Sequence, residues 1–144
     1  MNPIEKLKKE HEDIERELLE LDEIIKAEEI NYPNLVHVLR NLHELWNCHE
    51  LREERIFKIF EKERIKIPVE KMLFEHEALR PHLEKIKKAL NSSNELETKI
   101  SLHTDAIIII EKLRKHIAFE DEVLYTIAEG EFTPAEIKEM EKYI

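Results

Sequence analysis

The chain is short of the residues most folds use for turns and cross-links. Its 144 residues include one Gly, one Cys, one Trp and five Pro. A single glycine excludes most strand-and-turn architectures, whose hairpins and bulges need backbone at positive φ. The lone Cys48 excludes a disulfide framework and a thiolate zinc knuckle. Long hydrophobic runs are missing as well. The longest aliphatic block is Ile107–Ile110, far short of the ~18 apolar residues of a membrane span, so no membrane partner is expected. The opening stretch, MNPIEKLKKEHED, has no signal-peptide apolar core, and a cytoplasmic protein is expected. There is no basic excess either. Lys and Arg number 23 against 33 Asp and Glu, a net charge of −10, which argues against a nucleic-acid partner.

What remains is helical. The length suits one domain spanning residues 1–144, with a core of its own. Pro3, Pro33, Pro68 and Pro134 stand where helices should begin, since the first helical N–H has no intrahelical partner to lose. Asn2 with Glu5, and Thr133 with Glu136, read as caps followed by a returning carboxylate. Residues 91–94, Asn-Ser-Ser-Asn, form the one polar turn cluster, and Gly130 is placed to end a helix. Between these marks apolar residues recur at three and four. The stripes are Ile4, Leu7, Ile14, Leu18, Leu21, Ile25; then Leu35, Val38, Leu42, Leu45, Ile56, Phe60; then Val69, Met72, Leu79, Leu83, Ile86, Leu90; then Leu102, Ala106, Ile109, Leu113, Val123, Ile127. Four long amphipathic helices with short connections predict an all-α fold, an up-down-up-down four-helix bundle. A short fifth helix from about Pro134 to Tyr143 is expected to cover one end through Ile137 and Met140.

Each stripe is broken by a histidine: His11, His49, His76 and His116. Two of the breaks carry a glutamate four residues later, giving His49–Glu53 and His116–Glu120. Four residues is about 40° around a helix, so each pair projects from one face, and that face is the apolar one. Their heights agree. In an antiparallel pair, residues at equal height lie symmetrically about the turn. His11 and the middle of the His49–Glu53 pair are centred on residues 31–33, that middle and His76 just before 65–68, and His76 and the middle of the His116–Glu120 pair just after 91–94. Six inward polar side chains at one level cost several kcal/mol each unless satisfied, and a metal centre satisfies them together. His37, His43, His82 and His103 lie well off these faces and read as peripheral. His43, His82 and His103 do share a second level, where only a minor surface metal site is in prospect. Trp46, one turn before His49, reads as a core aromatic or a wall of the site, and Pro81 is the one proline inside a helix.

The arrangement resembles the hemerythrin-like HHE cation-binding domain, a four-helix bundle with a non-haem di-iron site. The resemblance is carried by EHEDIERELLEL around His11, CHELREERIFKIF around His49 and Glu53, FEHEALRPHLEKI around His76, and KHIAFEDEVLYTIAE around His116 and Glu120. It implies that His11 and His49 serve one iron, that His76 and His116 serve the other, and that Glu53 and Glu120 bridge the two. Oxygen-carrying members have a further histidine one turn after the third-helix ligand, where this chain has Arg80. They also place the last carboxylate five residues after its histidine, where this chain has Asp121. Helix geometry favours Glu120, with Asp121 as the alternative. Both departures turn the reading away from a simple oxygen carrier, and they fit as well the members linked to nitric-oxide and oxygen response and to iron–sulfur cluster repair.

Imidazole and carboxylate without thiolate suit iron, manganese or zinc. The resemblance implies two Fe ions, oxo- or hydroxo-bridged, with Zn or Mn as substitutes. Two six-coordinate irons then keep about two positions for a small ligand. The expected function is binding or sensing of O2, NO or peroxide by a di-iron centre. The alternatives are iron–sulfur repair or iron donation with an electron-donor partner, and a zinc-holding structural bundle. Whether the chain is an enzyme, with weak peroxidase or redox activity, stays open at this point.

Overall fold

The structure, a computed structural model, describes residues 2–62 and 69–143. Among these residues it is all-helical, with no strand. Helix α1 runs Pro3–Lys26, α2 Tyr32–Lys62 and α3 Val69–Asn91. A fourth helical run, α4, covers residues 95–131. It consists of α-helix Glu95–Ser101, Ile107–Phe119 and Tyr125–Glu131, joined by two π-helical turns, Leu102–Ala106 and Glu120–Leu124. Helix α5, Pro134–Met140, ends in a 3-10 turn, Glu141–Tyr143.

Caps form at Asn2 and Thr133, as the sequence calls for, and also at Asn94, which the sequence marks only as part of a turn. Asn2 Oδ1 accepts from the Ile4 N–H at 2.8 Å, and Asn94 Oδ1 from the Glu97 N–H at 3.1 Å. Thr133 and Glu136 make a reciprocal capping box. The 91–94 turn is closed by Ser93 at φ 56, a left-handed position taken here by a non-glycine residue. Gly130 does not end a helix. The helical run continues to Glu131 and stops before Pro134. Helix α3 passes Pro81 without interruption, with the ring on its exposed side. The Phe60 side chain and residues 63–68, with Ile65 and Pro68, lie outside the described residues.

Neighbouring helices pair in opposite senses. Glu10 meets Arg52 while Glu17 meets Asn41 across α1 and α2, and Glu75 meets His116 while His82 meets Asp105 across α3 and α4. Two apolar clusters fill the interior. One gathers Ile14, Leu18, Leu42, Trp46, Leu79, Ile109 and Leu113. The other gathers Leu7, Ile56, Phe57, Met72, Leu124, Tyr125 and Met140, with Ile137 packed against it, so α5 does cover that end. In every long helix the polar break falls between a residue of one cluster and a residue of the other, such as Leu7, His11, Ile14 or Met72, His76, Leu79. The polar level is therefore a layer sandwiched between two apolar ones.

The stripe of the fourth helix departs from its expected phase after Glu120. Val123 is 37% exposed and Ile127 half-buried, while Leu124, Tyr125 and Ala128 are buried. The π turn Glu120–Leu124 is the reason. One extra residue in a turn advances the inward face by one position, so the face moves from 123 and 127 to 124 and 128.

Candidate metal centre

Helix α1 supplies His11, α2 His49 and Glu53, α3 His76, and α4 His116 and Glu120. All six are buried, none more than 3% exposed. They converge in two groups. The donor atoms of His11, His49, Glu53 and Glu120 lie within 4.8 Å of one another, as do those of Glu53, His76, His116 and Glu120. The two groups share both glutamates. Glu53 divides its oxygens between the halves, Oε2 at 2.8 Å from His49 Nε2 and Oε1 at 3.2 Å from His76 Nε2. Glu120 Oε1 lies 3.1 Å from His11 Nε2 and 3.2 Å from His116 Nε2.

Every histidine turns Nε2 inward, and its Nδ1 is held from outside by a carboxylate of another helix. Asp121 Oδ1 is 2.9 Å from His11, Glu10 Oε1 3.3 Å from His49, Glu54 Oε1 3.4 Å from His76, and Glu75 Oε2 2.6 Å from His116. The ring closes on itself: α1 holds the histidine of α2, α2 that of α3, α3 that of α4, and α4 that of α1. Such partners fix the tautomer and aim the ring, and they strengthen the inner nitrogen as a donor. Glu120 is thus the inward carboxylate, and Asp121 serves from outside through His11.

Sequence reasoning gave no role to Glu10, Glu54 and Glu75, yet a signal existed. Each outer carboxylate is adjacent in sequence to an inner residue: Glu10 to His11, Glu54 to Glu53, Glu75 to His76, Asp121 to Glu120. A neighbour is about 100° around the helix, which aims it across the seam at the next helix rather than into the centre. Tyr125 also carried no assignment. It is fully buried, its hydroxyl donates to Glu53 Oε2 at 2.5 Å, and its ring stacks on His11 at 5.4 Å. Trp46 proves both a core residue and a wall, with its ring 5.2 Å from His76, 5.5 Å from His116 and 6.0 Å from His49.

Arg80 faces outward from the centre and pairs with Glu50, a buried carboxylate whose pKa burial pushes up. His82 bonds Asp105 at 3.0 Å, and Ser101 donates to the other oxygen of Asp105 at 3.1 Å, tying α3 to α4. His37, His43 and His103 are exposed, and no metal-sized group among the described residues includes them.

The sequence model of the hemerythrin HHE cation binding domain matches residues 2–128. The chain belongs to that family. No curated protein and no solved structure matches it.

The donor set of this hemerythrin HHE domain fits a cation on its own evidence. Glu53 Oε1, Glu120 Oε2, His76 Nε2 and His116 Nε2 are buried with no hydrogen-bond partner. A buried group left in that state costs about 1–3 kcal/mol, and positive charge placed among these four would answer all of them at once. The electrostatics point the same way. Burial alone would lower the pKa of His116, but Glu120 and Glu75 push it up to about 9. Burial likewise opposes protonation of His11 and His49, yet their carboxylate neighbours raise both. Glu120 is held well below the carboxylate range, against burial, by its contact with Glu53 and by the imidazoles of His116 and His11. Positive charge is thus favoured at His11, His49 and His116. Among the described residues no helix is long and apolar enough to cross a membrane.

Proposed function

We propose that this hemerythrin HHE domain forms an up-down-up-down bundle around two metal ions, iron foremost, and that the dinuclear centre binds or senses a small ligand such as O2, NO or peroxide. The observation that carries the reading is the pair of four-donor groups sharing Glu53 and Glu120. Two carboxylates common to two groups are what a bridged pair of cations requires, whereas a mononuclear zinc site would need only one group. His11 and His49 would hold one ion and His76 and His116 the other. When bound, iron supplies reversible redox change and open coordination positions; manganese or zinc would fill the same donors with less redox use.

The protein's own part is to aim and to insulate. Four outer carboxylates fix the inner imidazoles, and two apolar clusters seal the layer above and below. Two divalent ions on four neutral imidazoles and two carboxylates leave a charge of about +2 in a dry interior, and the four outer carboxylates offset it. That offset favours an oxidisable centre more than the inner residues alone would. An electron-donor partner follows if the centre cycles.

Metal analysis of natively purified protein tests the reading. Two irons per chain, with near-ultraviolet charge-transfer bands that change when oxygen or nitric oxide is admitted, are expected. One metal per chain, or zinc at full occupancy in native material, would sink it. Iron passed stoichiometrically to an acceptor would instead mark a donation role.

A further inference from the structure

We propose that the open seam between α2 and α3 is a binding site for an aliphatic carboxylate, a fatty acid of medium chain length. The site lies outside the metal centre and does not depend on it.

Three of the seams between neighbouring long helices are tied by polar contacts above the metal layer, on the side of the 91–94 turn. Glu17 meets Asn41 across α1 and α2, His82 meets Asp105 across α3 and α4, and Glu15 meets Arg114 across α1 and α4. Among the described residues the α2–α3 seam has no such tie. Its polar contacts, Arg80 with Glu50 and His76 with Glu53 and Glu54, stay at the metal level. Above them the two helices part into a half-enclosed cleft of about 730 Å³. That lies inside the range of roughly 300–1,000 Å³ usual for small-ligand sites.

The sequence makes this cleft apolar. On α2, Leu35, Val38 and Leu42 already fill the inward stripe, yet Tyr32, Val36 and Leu39 add a second stripe at i, i+4 and i+7. Helix α3 faces it with Leu83, Ile86 and Leu90. Ile86 is the buried floor, whereas Val36, Leu39, Leu83 and Leu90 are only half-buried and Tyr32 is exposed.

The rim supplies partners for an anionic head. Arg40 from α2 and Lys87 from α3 reach the cleft from opposite walls, and among the described residues neither enters an ion pair. An arginine fork beside an ammonium suits one carboxylate, which relieves the repulsion between them. Glu44 and Glu84 line the same cleft about one turn nearer the metal layer. They repel an anionic head from that end and leave Arg40 and Lys87 as its seat. From Arg40 to Tyr32 the helix rises about 12 Å, a trough for the chain along Leu39, Val36 and Leu90. The protein carries a net charge of −10, so it has no general attraction for anions, and selectivity rests on this local pair. Burial of the chain supplies affinity and the two cations supply orientation.

The test is calorimetric titration of the natively purified protein with decanoate below its micelle concentration, beside decylamine as the cationic counterpart. One decanoate per chain is expected, with a raised melting temperature and an unchanged metal content and optical spectrum. Decylamine should bind at least about tenfold more weakly, and Arg40→Gln/Lys87→Gln should lose about tenfold for decanoate. Val36→Trp, which fills the trough, should abolish binding. Arg40 and Lys87 are exposed, so their double variant decides the matter even where Val36→Trp unfolds the chain. Absent decanoate binding overturns the proposal, as does equal affinity for decylamine or full affinity kept in the double variant. A decanoate-induced change in the optical spectrum would place the carboxylate on the metal centre and overturn it too. A dimer in solution that Val36→Trp splits into monomers would make the trough an interface between copies of this chain instead. Each of these failures leaves the dinuclear reading untouched.

Discussion

Glu75 Oε2 sits 2.6 Å from His116 Nδ1, reaching from α3 to the histidine of α4. It is the shortest of the four outer contacts and belongs to the His76/His116 half. The carboxylate keeps the imidazole aimed inward and enriches its Nε2. Replacing it with an amide of the same shape keeps the packing and removes the charge. Glu75→Gln should therefore weaken metal binding in that half by about 10- to 100-fold and leave the helical fold intact. Competition with a chelator of known affinity, read beside far-ultraviolet circular dichroism, decides this. Unchanged affinity would show that the outer ring is ornamental.

Glu53 and Glu120 face the stronger prediction because each belongs to both groups. Glu120→Gln should reduce the metal held from two ions per chain to one or none, whereas Glu75→Gln should lower affinity without changing the number. Metal content after exhaustive loading and desalting separates the two cases. A Glu120→Gln protein that keeps two tightly held ions would leave Glu53 as sole bridge.

The six inner residues were legible because charge on an apolar stripe is conspicuous, and because equal distances from the turns placed all six at one height. Nothing comparable marked the outer carboxylates. Glu10, Glu54 and Glu75 sit among many acidic residues on half-solvated faces, and only their adjacency to one of the six inner residues sets them apart. The phase of the fourth helix was legible only as far as Glu120. A π turn has no compositional signature, so a fixed period of 3.6 carries the inward face to Val123 and Ile127 when Leu124, Tyr125 and Ala128 occupy it. Tyr125 was missed for that reason alone.

The raised histidines set opposite pH trends for the metal-free and loaded protein. His116 is pushed up to about 9, and His11 and His49 are raised from their ordinary 6.5. The contribution of His116 to folding in the metal-free protein is fully present below about pH 6.5 and is lost as pH rises through about 9, and those of His11 and His49 are likewise lost as pH rises through their own raised pKa values. Glu120 is lowered from 4.5, so its contribution is present above that value and is lost as pH falls through its depressed pKa. Metal-free stability should therefore be greatest between about pH 4.5 and 6.5. Metal needs neutral imidazoles, so binding should release protons and tighten as pH rises toward 9. The drop in melting temperature on adding chelator should thus be larger at pH 8.5 than at pH 6. A chelator effect independent of pH would contradict the protonated cluster.

Val123 and Leu124 are neighbours in sequence on opposite sides of the π-turn question. A strict α-helical phase makes Val123 the core residue, whereas the observed turn leaves it 37% exposed and buries Leu124 completely. Leu124→Ala should cost about 2–5 kcal/mol, because it opens a cavity in the apolar cluster that Leu124 shares with Ile56, Phe57 and Met72. Val123→Ala should stay within about 0.5 kcal/mol. Urea unfolding of the metal-free variants measures both without interference from metal affinity. If the two costs came out reversed, the fourth helix would be regular through Glu120, Leu124 would face solvent, and Tyr125 would be carried away from Glu53.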